Sequence, residues 1–98
     1  MRPLSNREHA VLDTLYALHS EFPEAATFEV PAVELISGPC AGSLGVLAQI
    51  GYVYRDVSPI SGGPPVCRLT VTGWMAATER RRVARRARAT FEQRRARR

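Results

Sequence analysis

The stretch PCAGSLGVLAQIGYVYRDV, residues 39–57, decides the fold because its hydrophobic period changes at a single glycine. Before that glycine, apolar residues recur at three- and four-residue steps, which predicts a helix over Pro39–Ile50. Its buried face consists of Cys40, Leu44, Leu47 and Ile50. Gly51 stands where a left-handed helix cap belongs. Because β-forming residues fill Tyr52–Val57, the helix is expected to reverse directly into a strand.

Downstream, the sequence predicts a second strand and a last helix. Val66–Val71 is again rich in β-forming residues, and the Gly- and Pro-rich residues 58–65 can continue neither strand. The two strands therefore form a hairpin with a long tip. Thr72 is expected to cap the last helix. The apolar stripe of that helix consists of Trp74, Met75, Ala76, Ala77, Val83, Ala87 and Phe91.

Upstream, two further helices are expected. Residues 5–8, SNRE, match a capping box, so a helix begins at Asn6, and its apolar stripe runs until Pro23. Residues 27–30 form a stretch of β-forming residues too short for an independent strand. A short helix then begins with Pro31 at its first position. The sequence Ser37-Gly38-Pro39 breaks it sharply, so the second and third helices are expected to meet at a corner.

This α+β order of elements resembles a winged helix-turn-helix domain, with a three-helix core, a β-hairpin wing and a long arginine-rich C-terminal helix. Residues 47–55, LAQIGYVYR, resemble the L-x-x-L-G-hydrophobic-V-x-R run that closes the third helix in MarR-like and PadR-like transcriptional regulators. Residues 69–73, LTVTG, resemble the L-T-x-x-G run that leaves the wing in the same families. The resemblance covers roughly residues 5–80 and implies a DNA-binding regulator.

The resemblance also implies which residues meet DNA. Pro39–Ile50 would be the recognition helix, and the residues off its buried face would point to a major groove. These are Ser37 at the corner, then Ala41, Gly42, Ser43, Gly45, Val46 and Gln49. None carries a positive charge, so base contacts are expected to be weak. Arg55 and Arg68, on the two strands of the wing, are expected to contact phosphates instead.

The basic charge of the chain is concentrated at its C-terminal end. Residues 1–78 carry four arginines against seven carboxylates, a net charge of −3, whereas residues 79–98 carry ten arginines against two glutamates, a net charge of +8. This predicts a domain over residues 1–78 and an arginine-rich helix or tail over residues 79–98 that binds a polyanion, with DNA as the expected partner. The expected phosphate contacts are Arg80, Arg81, Arg82, Arg85, Arg86 and Arg88.

Other functions remain open at this point. The neutral Pro39–Ile50 helix is equally suited to docking against a protein, in which case the arginine tail would hold RNA, an acidic partner or nothing specific. The tail alone would also account for nonspecific association with nucleic acid or ribosomes. A solvated charged helix without a partner is the simplest alternative. A homodimer, formed through the first helix and the region of Trp74, is a further expectation.

No enzyme, metal protein or cofactor is implied. Cys40 and Cys67 lack C-x-x-C spacing and are expected to be buried free thiols in a reducing compartment, the cytoplasm. Residues 41–45, AGSLG, superficially resemble a G-x-S-x-G nucleophile elbow but lack the large α/β sheet that the elbow requires. His9 and His19 are expected to make surface or partner contacts. No stretch approaches the roughly 20 apolar residues that cross a membrane.

Overall fold

In the computed structural model, residues 3–58 and 60–96 are described, and they form an α+β fold. The elements in chain order are α1 Asn6–Glu21, β1 Phe28–Glu29, α2 Val30–Ser37, α3 Ala41–Gln49, β2 Val53–Asp56, β3 Val66–Leu69 and α4 Val71–Ala96. Within these residues, four helices and one three-stranded antiparallel sheet confirm the predicted α+β class and the predicted order of elements.

The core lies where α1, α2 and α3 meet one face of the sheet. Its largest fully buried side chains come from all three helices and the sheet: Val11, Leu12, Leu15, Val33, Cys40, Leu44, Leu47 and Cys67. The capping box at the start of α1 is confirmed, because the Glu8 amide donates to Ser5 Oγ and the Ser5 amide donates to Glu8 Oε1, at 3.2 and 3.0 Å. This cap fixes where the helix begins.

The sheet has the strand order β1-β3-β2, so the hairpin strand β3 is central. The register places Phe28 opposite Cys67 in one pair and Val53 opposite Leu69 in the other. β1, which is only two residues long, is an edge strand that pairs with β3, and its short length predicts that it would not be stable alone. Beyond the end of β1, the Leu69 amide donates to His19 Nε2 at 3.1 Å, so a histidine of α1 completes the edge of the sheet.

The corner between α2 and α3 is made by residues 38–40, and the two helices are bent by 109°. Gly38 adopts a φ of 84°, which only glycine adopts readily. Two predicted boundaries were wrong here: α2 begins at Val30, one residue before Pro31, and α3 begins at Ala41, beyond Pro39. Within the described residues no single helix is long and apolar enough to cross a membrane; α2 and α3 reach that length only as a bent pair.

The junction between α3 and β2 is bonded directly to the junction between β3 and α4. Gly51 has a φ of 83°, as predicted, and turns the chain so that the Tyr52 carbonyl accepts from the Thr70 amide at 3.1 Å. Thr70 Oγ1 donates to the Gly51 carbonyl at 2.6 Å and accepts from the Gly73 amide at 3.0 Å. Thr70 is therefore the cap of α4, and the prediction of Thr72 was wrong.

α4 leaves the body of the protein after its first two turns. Ala77 is fully buried, whereas every residue from Thr78 to Ala96 is exposed. Val83 and Phe91, placed on the predicted apolar stripe, are 56% and 66% exposed and do not pack on the body. The helix nevertheless runs unbroken across the predicted domain boundary between residues 78 and 79, which makes the molecule 61 Å long in its longest direction.

We expect Gly73→Ala to destabilise the fold strongly. A methyl group on Gly73 would overlap the Tyr52 carbonyl oxygen, which the turn at Gly51 holds in place. The free energy of unfolding, measured by urea denaturation, should fall by about 3 kcal/mol.

The matched control is Gly42→Ala, the same substitution in an exposed helical glycine with no heavy atom within 4 Å of the new methyl group. Alanine should raise the free energy of unfolding there by about 0.5 kcal/mol, because it is the better helix former. Equal effects of the two substitutions would contradict the proposed contact between Gly73 and Tyr52.

Candidate nucleic-acid interface

The exposed face of α3 is smaller and less polar than the sequence suggested. Ala41, Gly42 and Gln49 are exposed and Val46 is half-buried, as expected for an outward face. Ser43 is only 8% exposed, so its predicted place at a groove was wrong. It lies one turn before Leu47 and therefore shares the core-facing side of the helix. Among the predicted α3 positions, this leaves Gln49 as the exposed side chain able to hydrogen-bond a base edge.

Ser37 makes its hydrogen bonds within the corner between α2 and α3 and not at an outer surface. Its hydroxyl lies 3.1 Å from the Val33 carbonyl and 3.1 Å from the Gly38 carbonyl, within the last turn of α2. The side chain is half-buried. Because its proton is directed to backbone carbonyls of its own corner, Ser37 stabilises the helix end and contributes little as a donor to a ligand.

Arg55 brings a positive charge to α3. Its guanidinium nitrogens lie 3.8 and 3.9 Å from the point where a β-carbon on Gly45 would stand, so the side chain crosses the helix where no side chain obstructs it. The neighbouring Asp56 does not neutralise it. Its carboxylate accepts from the Tyr54 hydroxyl and the Val57 amide, and these hydrogen bonds lower the pKa of Asp56. The α3 face is therefore basic although α3 itself carries no charge.

Arg68 lies on the opposite face of the hairpin. The register pairs it with Tyr54, whereas Arg55 is paired with Cys67, and successive residues of a strand point to opposite faces. Its guanidinium carbon lies 4.8 Å from the centre of the Tyr54 ring, a cation–π contact. The structure thus brings Arg55 to α3 and separates Arg68 from it.

An apolar groove of about 380 Å³ lies between the start of α3 and the hairpin. Ala41, Leu44, Val57 and Pro65 are among the residues that line it, together with the charged Arg55 and Asp56. Val57 and Ile60 nearby in the chain are 77% and 74% exposed, and residues 58–65 carry no charge. The tip of the hairpin therefore lacks charge and exposes apolar side chains.

Three of the predicted α4 arginines anchor the helix to the body or to itself. Arg80 forms an ion pair with Asp13 of α1, and Arg82 pairs with Glu79 at 2.9 Å. The guanidinium of Arg81 lies 4.4 Å from the centre of the Tyr16 ring. That ring is in turn stacked on Trp74, with the two centroids 4.4 Å apart. These contacts set the direction in which α4 leaves the body.

The remaining α4 arginines have no such contacts. Arg85, Arg86 and Arg88, together with Arg94 and Arg95 further along, are exposed and form no ion pair or hydrogen bond within the described part of the chain. The sequence could not set Arg80 and Arg81 apart from the rest, because their partners, Asp13 and Tyr16, lie in a distant helix, whereas Glu79, the partner of Arg82, is local.

Other chemistry finds little support in the described residues. Cys40 and Cys67 are buried free thiols, as predicted, and burial, with a smaller effect of the Cys40 thiol, raises the pKa of Cys67 to about 11. Burial also raises the pKa of Cys40, so in both residues burial disfavours the reactive thiolate form. No group of three potential metal ligands occurs within residues 3–58 and 60–96.

Comparison with known proteins finds no family model, curated protein or solved structure that matches this chain.

The stability of the fold should depend on pH through His19. Its Nε2 accepts the Leu69 amide and must therefore be unprotonated, which departs from the predicted surface role of this residue. Burial, followed by the charge of Arg68, lowers the pKa of His19 below its ordinary value of 6.5. The unfolded chain thus binds a proton more readily than the folded one, so stability is complete above pH about 6.5 and falls as pH decreases toward the lowered value.

Urea denaturation of the wild type at pH 7.5 and at pH 5.5 should show this decrease. His19→Gln should reduce the difference between the two pH values, since glutamine does not titrate. His9→Gln is the matched control, because it retains His19 and should retain the decrease. A His19→Gln variant with the full decrease would contradict this assignment.

The two groups of arginines should also differ in their effect on stability. Replacing Arg80 and Arg81 together by glutamine removes an ion pair and a cation–π contact and should lower the free energy of unfolding by about 1 kcal/mol. Replacing Arg85 and Arg86 together by glutamine removes the same charge from exposed positions and should not lower the free energy of unfolding, since it relieves the repulsion of Arg85 by Arg81 and Arg88. Equal losses in urea denaturation would show that the anchoring contacts do not form.

Proposed function

We propose that this chain is a winged helix-turn-helix DNA-binding protein that acts as a transcriptional regulator. The observation that carries the proposal is the corner between α2 and α3. Its angle of 109° and its short turn containing Gly38 fall within the geometry of helix-turn-helix units, whose helices meet at about 90–120°. The hairpin of β2 and β3 follows α3 directly, in the position of a wing.

In this proposal DNA is held mainly through its phosphates. α3 would present Ala41, Gly42, Val46 and Gln49 to the major groove, where the small side chains allow close approach and Gln49 offers paired hydrogen bonds to adenine. Arg55, lying across Gly45, would meet the phosphates beside the groove. We therefore expect arginines to supply most of the binding affinity and Gln49 to supply modest base selectivity.

A protein-interaction module is the second candidate, and the groove beside α3 favours it. The uncharged side chains of α3, a largely apolar groove of about 380 Å³ and the exposed Val57 and Ile60 offer apolar surface that DNA binding does not require. The homodimer expected through α1 and Trp74 remains a separate prediction. Trp74 is already stacked on Tyr16 within the chain and is 38% exposed.

Opposite charges placed at Gly42 distinguish the two candidates. Gly42 is exposed and has open space around it, so both Gly42→Arg and Gly42→Glu should fold. If α3 faces DNA, arginine should tighten and glutamate weaken binding to a pool of short duplexes by about fivefold each, the effect of about 1 kcal/mol from one exposed charge near phosphates.

The dissociation constants are measured by fluorescence anisotropy at one fixed salt concentration. Two variants that bind DNA like the wild type would show that α3 does not face DNA. In that case the protein-docking candidate predicts that both charges, regardless of sign, disrupt partner binding, since each must be desolvated in an apolar contact.

A further inference from the structure

The distal part of α4, residues 83–96, is a helix without a partner in the body of the protein. All of its residues are exposed, including its two large apolar side chains, Val83 and Phe91. Arginine and alanine, which favour helix formation, make up most of this segment. At 1.5 Å per residue it extends about 20 Å beyond the anchoring contacts of Arg80 and Arg81.

Its unpaired arginines form two rows on opposite sides. At about 100° per residue, Arg85, Arg88 and Arg95 share one side of the helix with Glu92, and Arg86 and Arg94 lie roughly half a turn away from them, so each side carries a net charge of +2. This is different from an amphipathic helix, in which the charges would occupy one continuous face. Each row is therefore positioned to meet a separate line of negative charge.

The two strips between the rows are almost free of charge. Ala84, Ala87 and Phe91 follow one strip, while Ala89, Gln93 and Ala96 follow the other. Most of these side chains are short, so the helix is narrow in the direction at right angles to the rows. A helix of this shape can enter a groove with an uncharged strip directed to its floor and an arginine row directed to each wall.

Duplex DNA has walls of this kind. Its major groove is about 12 Å wide, accepts an α-helix and is bordered on both sides by phosphates. The deep, narrow major groove of A-form RNA does not accept side chains in this way. A helix that docked along only one phosphate backbone would contact it with one arginine row and leave the other row in solvent. We propose that the distal part of α4 lies lengthwise in the major groove of duplex DNA, with one arginine row on each phosphate backbone.

This inference rests on the proposed DNA-binding function and adds to it the mode in which α4 contributes. It also accounts for the crowding of like charges. Arg85 and Arg88 lie three residues apart, and Arg81 and Arg85 four apart, spacings at which like charges destabilise a helix. Glu92 offsets one charge of the first row, and phosphates on both sides would neutralise the charge that remains in each row.

Two matched double variants of the full chain test the proposal: Arg85→Gln with Arg88→Gln, and Arg86→Gln with Arg94→Gln. Each removes two charges from one row and spares the anchoring residues. Affinity for a duplex of defined length is measured across a salt series. If both rows contact phosphates, the slope of log affinity against log salt concentration should be shallower by about 1.8 in each variant, since each phosphate contact contributes about 0.9 to it. When salt is raised from 50 to 200 mM, the factor by which binding weakens should then be about twelve times smaller for each variant than for the wild type.

A reduced slope in only one variant would overturn the groove arrangement in favour of docking along a single strand. Unchanged slopes in both, with the wild type still bound, would exclude α4 from the interface while leaving the helix-turn-helix proposal intact. Failure of the wild type to bind any duplex would instead refute the proposed function. An A-form RNA duplex serves as the second probe, and equal binding with the same dependence on both rows would overturn the assignment to the DNA major groove.

Discussion

The structure depends on the contact in which the Gly51–Tyr52 backbone receives the start of α4. The turn at Gly51 presents two carbonyls, which accept from the amide and the hydroxyl of Thr70, while Gly73 lies against the Tyr52 carbonyl with no room for a side chain. One set of hydrogen bonds therefore closes α3, aligns the hairpin and begins α4. Apolar packing alone holds elements together with some freedom to slide, whereas these directional bonds fix how α3 and α4 are oriented.

Features that depend on neighbours in sequence were predictable. The capping box, the turn at Gly51 and the change from helical to strand period all follow from residues within one or two turns of each other. The cap of α4 did not, because Thr70 and Thr72 are equally suitable locally, and the choice is made by the distant Gly51 carbonyl. Burial of Ser43, by contrast, was predictable, because Ser43 lies three residues after Cys40 and four before Leu47 and therefore falls on the predicted buried face of α3.

The candidate site illustrates how charge reaches a surface from a different element. By sequence, α3 is neutral and Arg55 belongs to the hairpin, yet the strand register turns Arg55 toward Gly45. The α4 arginines likewise form one block in the sequence. In the structure, Arg80 and Arg81 contact Asp13 and Tyr16, whereas Arg85 and the later arginines are exposed to solvent. In both cases the decisive information is a long-range contact, which no local pattern contains.

The length of α4 has a mechanical consequence. From Gly73 to Arg95 the helix is a continuous rod of about 33 Å that is held only near its base. A tilt of about 10° at the base would displace Arg95 by about 6 Å. The tight packing of Gly73 against the Tyr52 carbonyl therefore governs positional accuracy at the far end of the molecule, because a small change of angle at the base is multiplied along the length of the rod.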